Sequence, residues 1–396
     1  MTQFINFSDL PQAEPEALAL SQCLLDKIKT NIIRNGGVIG FDAYLRQALY
    51  EPGLGYYSAG QRKFGEAGDF VTAPEISPIF SRCLARQCQP ILAQLVHSVI
   101  MELGAGTGIM AAEILLELQS LKQLPDAYWI LEVSADLKER QQTFLKERVP
   151  FFFDKIQWLE QLPDSSYDGI ILGNEIVDAL PFKRFHKQDN TIFELGVSIV
   201  NGQLSWQQNE AAGKLLTGVS ALEESLHTNI PNGFTSEINI ELSAWLESIA
   251  SKLNNGVMLL FDYGYPAKDY YHPQRYTGTL QCYYRHHVHD DPFYMPGLQD
   301  ITASVDFTCL AEATHNIDLR VAGFTTQSSF LIANGLDDII NTLDNSNSKQ
   351  QSINAQAIRT LTMPGEMGER IKVMALTRNC NVPLQGFTSM DQRARL

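Results

Sequence analysis

Basic residues are scarce in this chain: 30 lysines and arginines stand against 45 acids over 396 residues, a formal net charge of −15. Nucleic-acid binders draw most of their affinity from cations on phosphates, so unaided nucleic-acid binding is disfavoured. Anionic membranes are disfavoured for the same reason. No apolar run approaches the roughly 20 residues of a membrane span, so no membrane insertion is expected. The six cysteines are scattered and contain no C-x-x-C. That spacing speaks against a disulfide scaffold and for reduced thiols, and a cytoplasmic location is expected from it. The first residues carry Asp9, Glu14 and Glu16 and no basic, apolar leader, so neither a secretory nor a transit signal is expected. No H-E-x-x-H occurs. His286, His287 and His289 beside Asp290 and Asp291 do not have metal-ligand spacing, because adjacent histidines on a strand point apart; no metal is expected. Internal repeats are absent as well.

What the chain does have is a short apolar run, Ser98 to Met101, followed by Glu102-Leu103-Gly104-Ala105-Gly106-Thr107-Gly108 and a helical pattern from Ile109 to Leu121. This predicts strand, tight turn, helix. Glycines let the backbone turn sharply and let a ligand lie against bare main chain. A dinucleotide fingerprint would place glycine at position 109, where Ile109 stands. The E-x-G-x-G-x-G spacing fits better the turn that holds S-adenosylmethionine, which has no phosphate, in class I methyltransferases. Glu102, Gly104, Gly106 and Gly108 are therefore candidate cofactor ligands. Tyr128 to Ser134 reads as the next strand, and Glu132 at its tip is the candidate for both ribose hydroxyls.

Tyr167 to Gly173 predicts the fourth strand, delivering Asn174 and Glu175 to the carboxyl end of the sheet, where ligands bind. If Ile176 to Leu180 begins a helical turn, Glu175 and Asp178 share a face. Two such carboxylates can hold a guanidinium through charge-assisted bonds, or accept a proton from an attacking nitrogen. Asn174, Glu175 and Asp178 are the candidate catalytic residues, with Asn174 also a cofactor contact; a capped helix start is the alternative. Val257 to Asp262 predicts the fifth strand, with Asp262 and Tyr263 facing the site and Asp300 a further substrate candidate.

The expected architecture is α/β: a doubly wound, mostly parallel, seven-stranded Rossmann-like sheet. An N-terminal helical and loop cap covers 1–95. The core comprises 96–180, 238–264 and 305–378, with a β-meander at 181–237, an aromatic-rich insertion at 265–304 and a loose tail at 379–396. Helices are expected at 16–35, from Asp42 as N-cap to Tyr50, at 79–95 and at 238–253. Asp189-Asn190 and Asn201-Gly202 read as the meander's hairpin turns. Lys183, Arg184 and His186 read as a solvated edge, and Ile371 to Leu376 as part of an edge hairpin. The long 51–78 loop is either a lid or a loop anchored by its aromatics.

The runs GFDAYLRQALYEPGLGYYS, GDFVTAPEISPIF, ELGAGTG, GNEIVDALPFKRF, DYGYP and DDPFYMPGLQDITASVDF occur in this order between about residues 20 and 378. Together they resemble the MidA family of S-adenosylmethionine-dependent methyltransferases. Ala105 and Thr107 stand where that family commonly has Pro and Arg, and Ser304 where it commonly has His. The resemblance implies a class I fold, S-adenosylmethionine as cofactor and an arginine of a respiratory complex I subunit as methyl acceptor. It adds Asp69, Thr72 and Ser77 to the cofactor candidates. The partners expected are a protein substrate and, as an assembly, a homodimer. A small-molecule acceptor, another protein acceptor, and a non-catalytic cofactor-binding assembly factor stay open on the residues alone.

Overall fold

The computed structural model describes residues 10–58, 71–343 and 346–396. The chain divides into two compact units, one of residues 1–70, 178–242 and 267–304, the other of 71–177, 243–266 and 305–396.

The second unit holds the main sheet. Its seven longer strands are β1 (Val99–Leu103), β2 (Ala127–Leu131), β3 (Ile156–Leu159), β4 (Tyr167–Asn174), β5 (Leu253–Tyr265), β6 (Arg320–Thr326) and β7 (Ile371–Arg378). They lie in the order β6-β7-β5-β4-β1-β2-β3, and the two-residue strand Val305–Asp306 pairs alongside β5. The sheet of the described residues thus has eight strands, the expected seven plus this short one. All neighbours are parallel except those of β7, which runs antiparallel to both β5 and β6. Order reverses between β1 and β4, so their carboxyl tips flank the crevice where open α/β sheets bind ligands.

Strands covered on both faces read as near-continuous apolar runs, and every residue of Val99–Leu103 is buried. One face packs under helices Pro78–Leu92 and Ile109–Ser120: Phe80, Cys83, Leu84, Ala111 and Leu115 share a core with Ile100, Ile170, Leu172 and Val257. Phe80 and Phe330 each meet Phe261 edge-on.

Several expectations about this unit need correction. β7 does pair antiparallel with the edge strand β6, but helices such as Ser348–Thr362 separate the two in sequence, so they form no hairpin, and seven of the eight β7 residues are buried. The segment 379–396 is not loose. Val382, Leu384 and Phe387 are buried, and the Gly386 N–H donates to Gln87 Oε1 at 2.7 Å. The helix expected at 238–253 is confined to Leu242–Ala250, because Thr235–Ile238 pairs as a strand and β5 already begins at Leu253.

The first unit pairs helices Pro15–Arg34 and Phe41–Tyr50 with a five-stranded antiparallel sheet. Strands Lys183–Gln188, Thr191–Val200 and Gln203–Glu210 form the meander. Asp189, Asn190, Asn201 and Gly202 all have positive φ, as two-residue hairpin turns that match strand twist require. Phe41, Tyr44, Leu45, Phe182, Val197 and Ile301 make the core. Gly40, not Asp42, is the N-cap of Phe41–Tyr50. The Asp42 carboxylate pairs instead with Lys183 and Arg46.

Nor are Lys183 and Arg184 a solvated edge. Lys183 bonds Glu194 and Asp42. Arg184 bonds the buried Glu237 at 3.0 Å and lies over the Trp206 ring. Asp42 and Glu237 come from elements 141 and 53 residues away, so strand patterning alone could not pair them.

Candidate active site

In the second unit, the Gly104 N–H donates to Leu131 O at 3.0 Å, extending the ladder one residue past the strands. The chain then turns with φ of 62°, 53° and 84° at Gly104, Gly106 and Gly108. Only glycine adopts these values without steric cost. Space matters too: a Cβ on Gly104 would sit 2.9 Å from Ile176 Cδ1, in the segment after β4. Gly108 caps helix Ile109–Ser120.

Glu132 follows β2 and is buried. Its Oε1 accepts the Ser134 N–H at 2.9 Å, and its Oε2 accepts Gln141 Nε2–H at 3.0 Å. The same Nε2 donates to Gly106 O at 2.9 Å. One side-chain amide therefore ties the glycine turn to the acid on the neighbouring strand.

Glu102 is 1% exposed, and its Oε2 accepts the Tyr128 hydroxyl at 2.7 Å. Burial pushes its carboxyl up to about 7, against the lowering effect of the Tyr128 hydrogen bond and with a further push from Glu132. Burial likewise raises the Tyr128 hydroxyl well above its usual range.

At the tip of β4 the Glu175 N–H donates to Phe261 O at 2.8 Å, and Glu175 takes φ of 53°. A left-handed glutamate is uncommon, and such positions cluster at functional sites. Asn174 Nδ2–H donates to Glu175 Oε1 at 3.3 Å, while the buried Asn174 Oδ1 has no partner among the described residues.

The helical turn expected from Ile176 does not form; 175–180 is a run of bends and turns. Asp262, 1% exposed at the tip region of β5, binds the start of this segment. Its Oδ2 accepts the N–H groups of Ile176 and Val177 at 3.1 and 2.8 Å, and its Oδ1 accepts that of Tyr263 at 2.9 Å. These bonds clamp the segment that a helix would have used. Glu175 and Asp178 consequently do not share a helix face. Tyr263 is half-buried, with the Arg370 guanidinium over its ring.

Ser77 is buried, and its hydroxyl accepts the Ile79 N–H as the cap of Pro78–Leu92. Thr72 precedes the four-residue helix Ala73–Ile76 and is half-buried. Asp69 lies outside the described residues.

The first unit holds the other candidates. Asp178 O accepts the Ala303 N–H at 3.5 Å. Asp300 is buried and accepts the Tyr57 hydroxyl at 2.8 Å. Tyr57 stacks on Tyr50, whose hydroxyl donates to Ala179 O. Burial raises both phenols, with Asp300 adding to each shift. Tyr56 is buried as well; residues 59–70 of the 51–78 loop lie outside the described residues.

Sequence reasoning missed Gln141. Helix Ala135–Arg148 looks solvated, yet it buries Leu137, Gln141 and Leu145. Spacing of four along an otherwise charged helix marks a narrow buried stripe, and a glutamine within it was the available signal.

The family model for S-adenosyl-L-methionine-dependent methyltransferases matches residues 83–325, more than half of the chain. The chain belongs to this family. As a member of the S-adenosylmethionine-dependent methyltransferases it uses S-adenosylmethionine as cofactor, and the resemblance to the MidA family holds. A Burkholderia thailandensis crystal structure bound to S-adenosylhomocysteine is 36% identical, covers 98% of this chain and 100% of its own, and superposes with a TM-score of 0.92. Among curated relatives, the Danio rerio protein arginine methyltransferase NDUFAF7, mitochondrial, is 28% identical over 95% of this chain and 94% of its own. The Homo sapiens protein of that name is 29% identical over 87% and 81%.

These names overturn the cytoplasmic location expected above, since the relatives are called mitochondrial. Free thiols separate reducing from oxidising surroundings, not one reducing compartment from another. No described helix is long and apolar enough to cross a membrane.

The residues present fit the methyl donor. The turn is bare main chain held open by three positive-φ glycines.

Proposed function

We propose that this chain transfers a methyl group from S-adenosylmethionine to an arginine side chain of a protein, a respiratory complex I subunit. The name arginine methyltransferase borne by the curated relatives supports the acceptor. The MidA resemblance supports complex I.

The observation that carries the reading is the tip of β4. A carboxylate sits there on a left-handed residue, next to a buried amide oxygen without a partner among the described residues. A guanidinium is all donors and no acceptor, so it matches a surface of acceptors. Glu175 orients the guanidinium and takes the departing N–H proton at a carboxylate oxygen. Asn174 holds Glu175 through its Nδ2–H and offers Oδ1 to the cofactor or the acceptor. Asp178 enters the proposal as the next carboxylate along the chain, and Asp300 and Tyr263 as substrate contacts. Asp262 acts through the backbone of Ile176 and Val177, setting the course of the catalytic segment.

Bound S-adenosylmethionine supplies a methyl group already activated by its positive sulfur. Glu102, Gly104, Gly106, Gly108, Glu132 and Thr72 are the residues assigned to hold it, Glu132 by accepting from the ribose hydroxyls. Thr72, Ser77 and Asp69 are assigned through the MidA resemblance alone; the Ser77 hydroxyl accepts from its own helix. What remains for the protein is to line up nucleophile and methyl group and to exclude water.

The test is to incubate the protein and its Glu175→Gln variant with isotopically labelled S-adenosylmethionine and isolated complex I subunits, mapping the label by mass spectrometry. Label on arginine, lost in the variant, is expected. Label on another residue type, or equal labelling by the variant, overturns the assignment.

A further inference from the structure

Gln141 is fully buried on helix Ala135–Arg148 and belongs to none of the motifs that announce the methyltransferase. Its amide is used completely. Nε2 donates to Gly106 O at 2.9 Å and to Glu132 Oε2 at 3.0 Å, and Oε1 accepts Trp158 Nε1–H at 2.9 Å. The orientation is fixed by chemistry. Turning the amide over would set its oxygen against a carbonyl and a carboxylate, and its N–H₂ against an indole donor.

We infer that Gln141 is a positioning residue for S-adenosylmethionine. Its two N–H groups lock the carbonyl side of the glycine turn to the carboxylate of Glu132, setting their spacing before the cofactor arrives. Trp158, from β3, braces the amide from behind. The same helix sets Leu145 3.4 Å from where a Cβ on Gly108 would lie, so one element meets the turn at its middle and at its far end. A buried carboxylate and carbonyl deprived of these donors would each lose a hydrogen bond and the tie between them, and rigid placement of binding groups is what lowers the cost of binding. The inference rests on Glu132 as the ribose ligand, and the experiment separates the two.

The probe is S-adenosylhomocysteine, titrated by calorimetry into the full-length protein and three variants. Gln141→Met keeps the length of the side chain and removes both donors. Gln141→Asn keeps an uncharged amide but withdraws it by one methylene from Gly106 and Glu132, and it stands in with the same thresholds if the thermal melt of the first shows no folded protein. Glu132→Ala tests the ribose assignment. Gln141→Met is expected to weaken binding tenfold or more. In turnover it should raise KM for S-adenosylmethionine by a similar factor and leave kcat at saturation within twofold. A folded variant that binds less than threefold more weakly, or that loses kcat with KM unchanged, overturns the inference. If Glu132→Ala binds like the parent while Gln141→Met binds weakly, the ribose assignment fails, and with it the coupling of Gln141 to Glu132.

Discussion

At the tips of β1 and β2, the carboxylates of Glu102 and Glu132 both hold hydrogen bonds and the turn between them is tied to Glu132 through Gln141. At the tip of β4, Asn174 Oδ1 lacks a described partner and Glu175 stands in a left-handed conformation. The same sheet therefore presents one finished corner and one unfinished one. A ligand that binds in a single fixed pose is served by groups already in place. A reacting side chain is served by groups whose bonds are completed only when it arrives, and backbone strain persists where surrounding structure enforces it. Here the enforcement is visible: Asp262 holds the segment after Glu175 by two backbone N–H groups.

The contrast is sharpest in Glu175→Gln. Removing the charge while keeping the shape is expected to lower kcat by at least about 100-fold, the usual scale for a positioned proton acceptor. KM for S-adenosylmethionine should stay within twofold. Steady-state kinetics checks this, and an equal loss in cofactor binding would merge the two corners into one.

Next comes the cost hidden in the finished corner. Glu102 has its carboxyl raised from 4.5 to about 7 by burial. The native state then binds a proton more readily than the unfolded chain, so its stabilising effect is complete below about 4.5 and is lost as pH rises to about 7. Glu102→Gln retains an acceptor for Tyr128 and carries no charge. The variant should gain on the parent by up to about 3 kcal/mol across that window. Denaturant unfolding from pH 5 to 8 measures it; parallel curves for the two proteins would refute the shift.

Gly104→Ala touches both corners at once, since the added methyl meets Ile176 at a φ of 62°. A loss of about 1–2 kcal/mol in stability is expected, the cost of a left-handed alanine. Cofactor affinity should fall about tenfold, the same amount of energy appearing in binding. Calorimetry and melting curves report both. The smallest effect is assigned to Ser77→Ala, which removes a helix cap worth about 1 kcal/mol. S-adenosylhomocysteine affinity should stay unchanged; a clear loss would return Ser77 to the cofactor ligands.

How much of this was legible beforehand depends on sequence distance. The glycine turn, its flanking strand and helix, and the meander's turns at 189–190 and 201–202 are local, because each needs a specific residue for its own backbone angles. The placement of Glu132 after the second strand was local in the same way. What escaped needed partners from far along the chain. Asp42 reads as a cap until Lys183 reaches it, 141 residues on. Arg184 reads as solvated until Glu237 appears on the neighbouring strand. Ile176 to Leu180 has the composition of a helix start, yet its first two N–H groups are bound by Asp262, 86 residues beyond Ile176. Polar residues in particular have meaning through their partners, and a one-dimensional pattern does not carry them.

The lone reversed strand has a consequence for how the molecule is made. Ile371–Arg378 fills the gap between β5 and β6, so nascent chains that have not yet reached it carry two bare, apolar strand edges at once. During synthesis at about 5–20 residues per second, those edges stay open for several seconds and invite pairing with other chains. Ribosome-stalled chains ending before Ile371 should accordingly need a holdase to remain dispersed, whereas chains stalled on a linker appended after Leu396, long enough to carry that strand clear of the exit tunnel, should not.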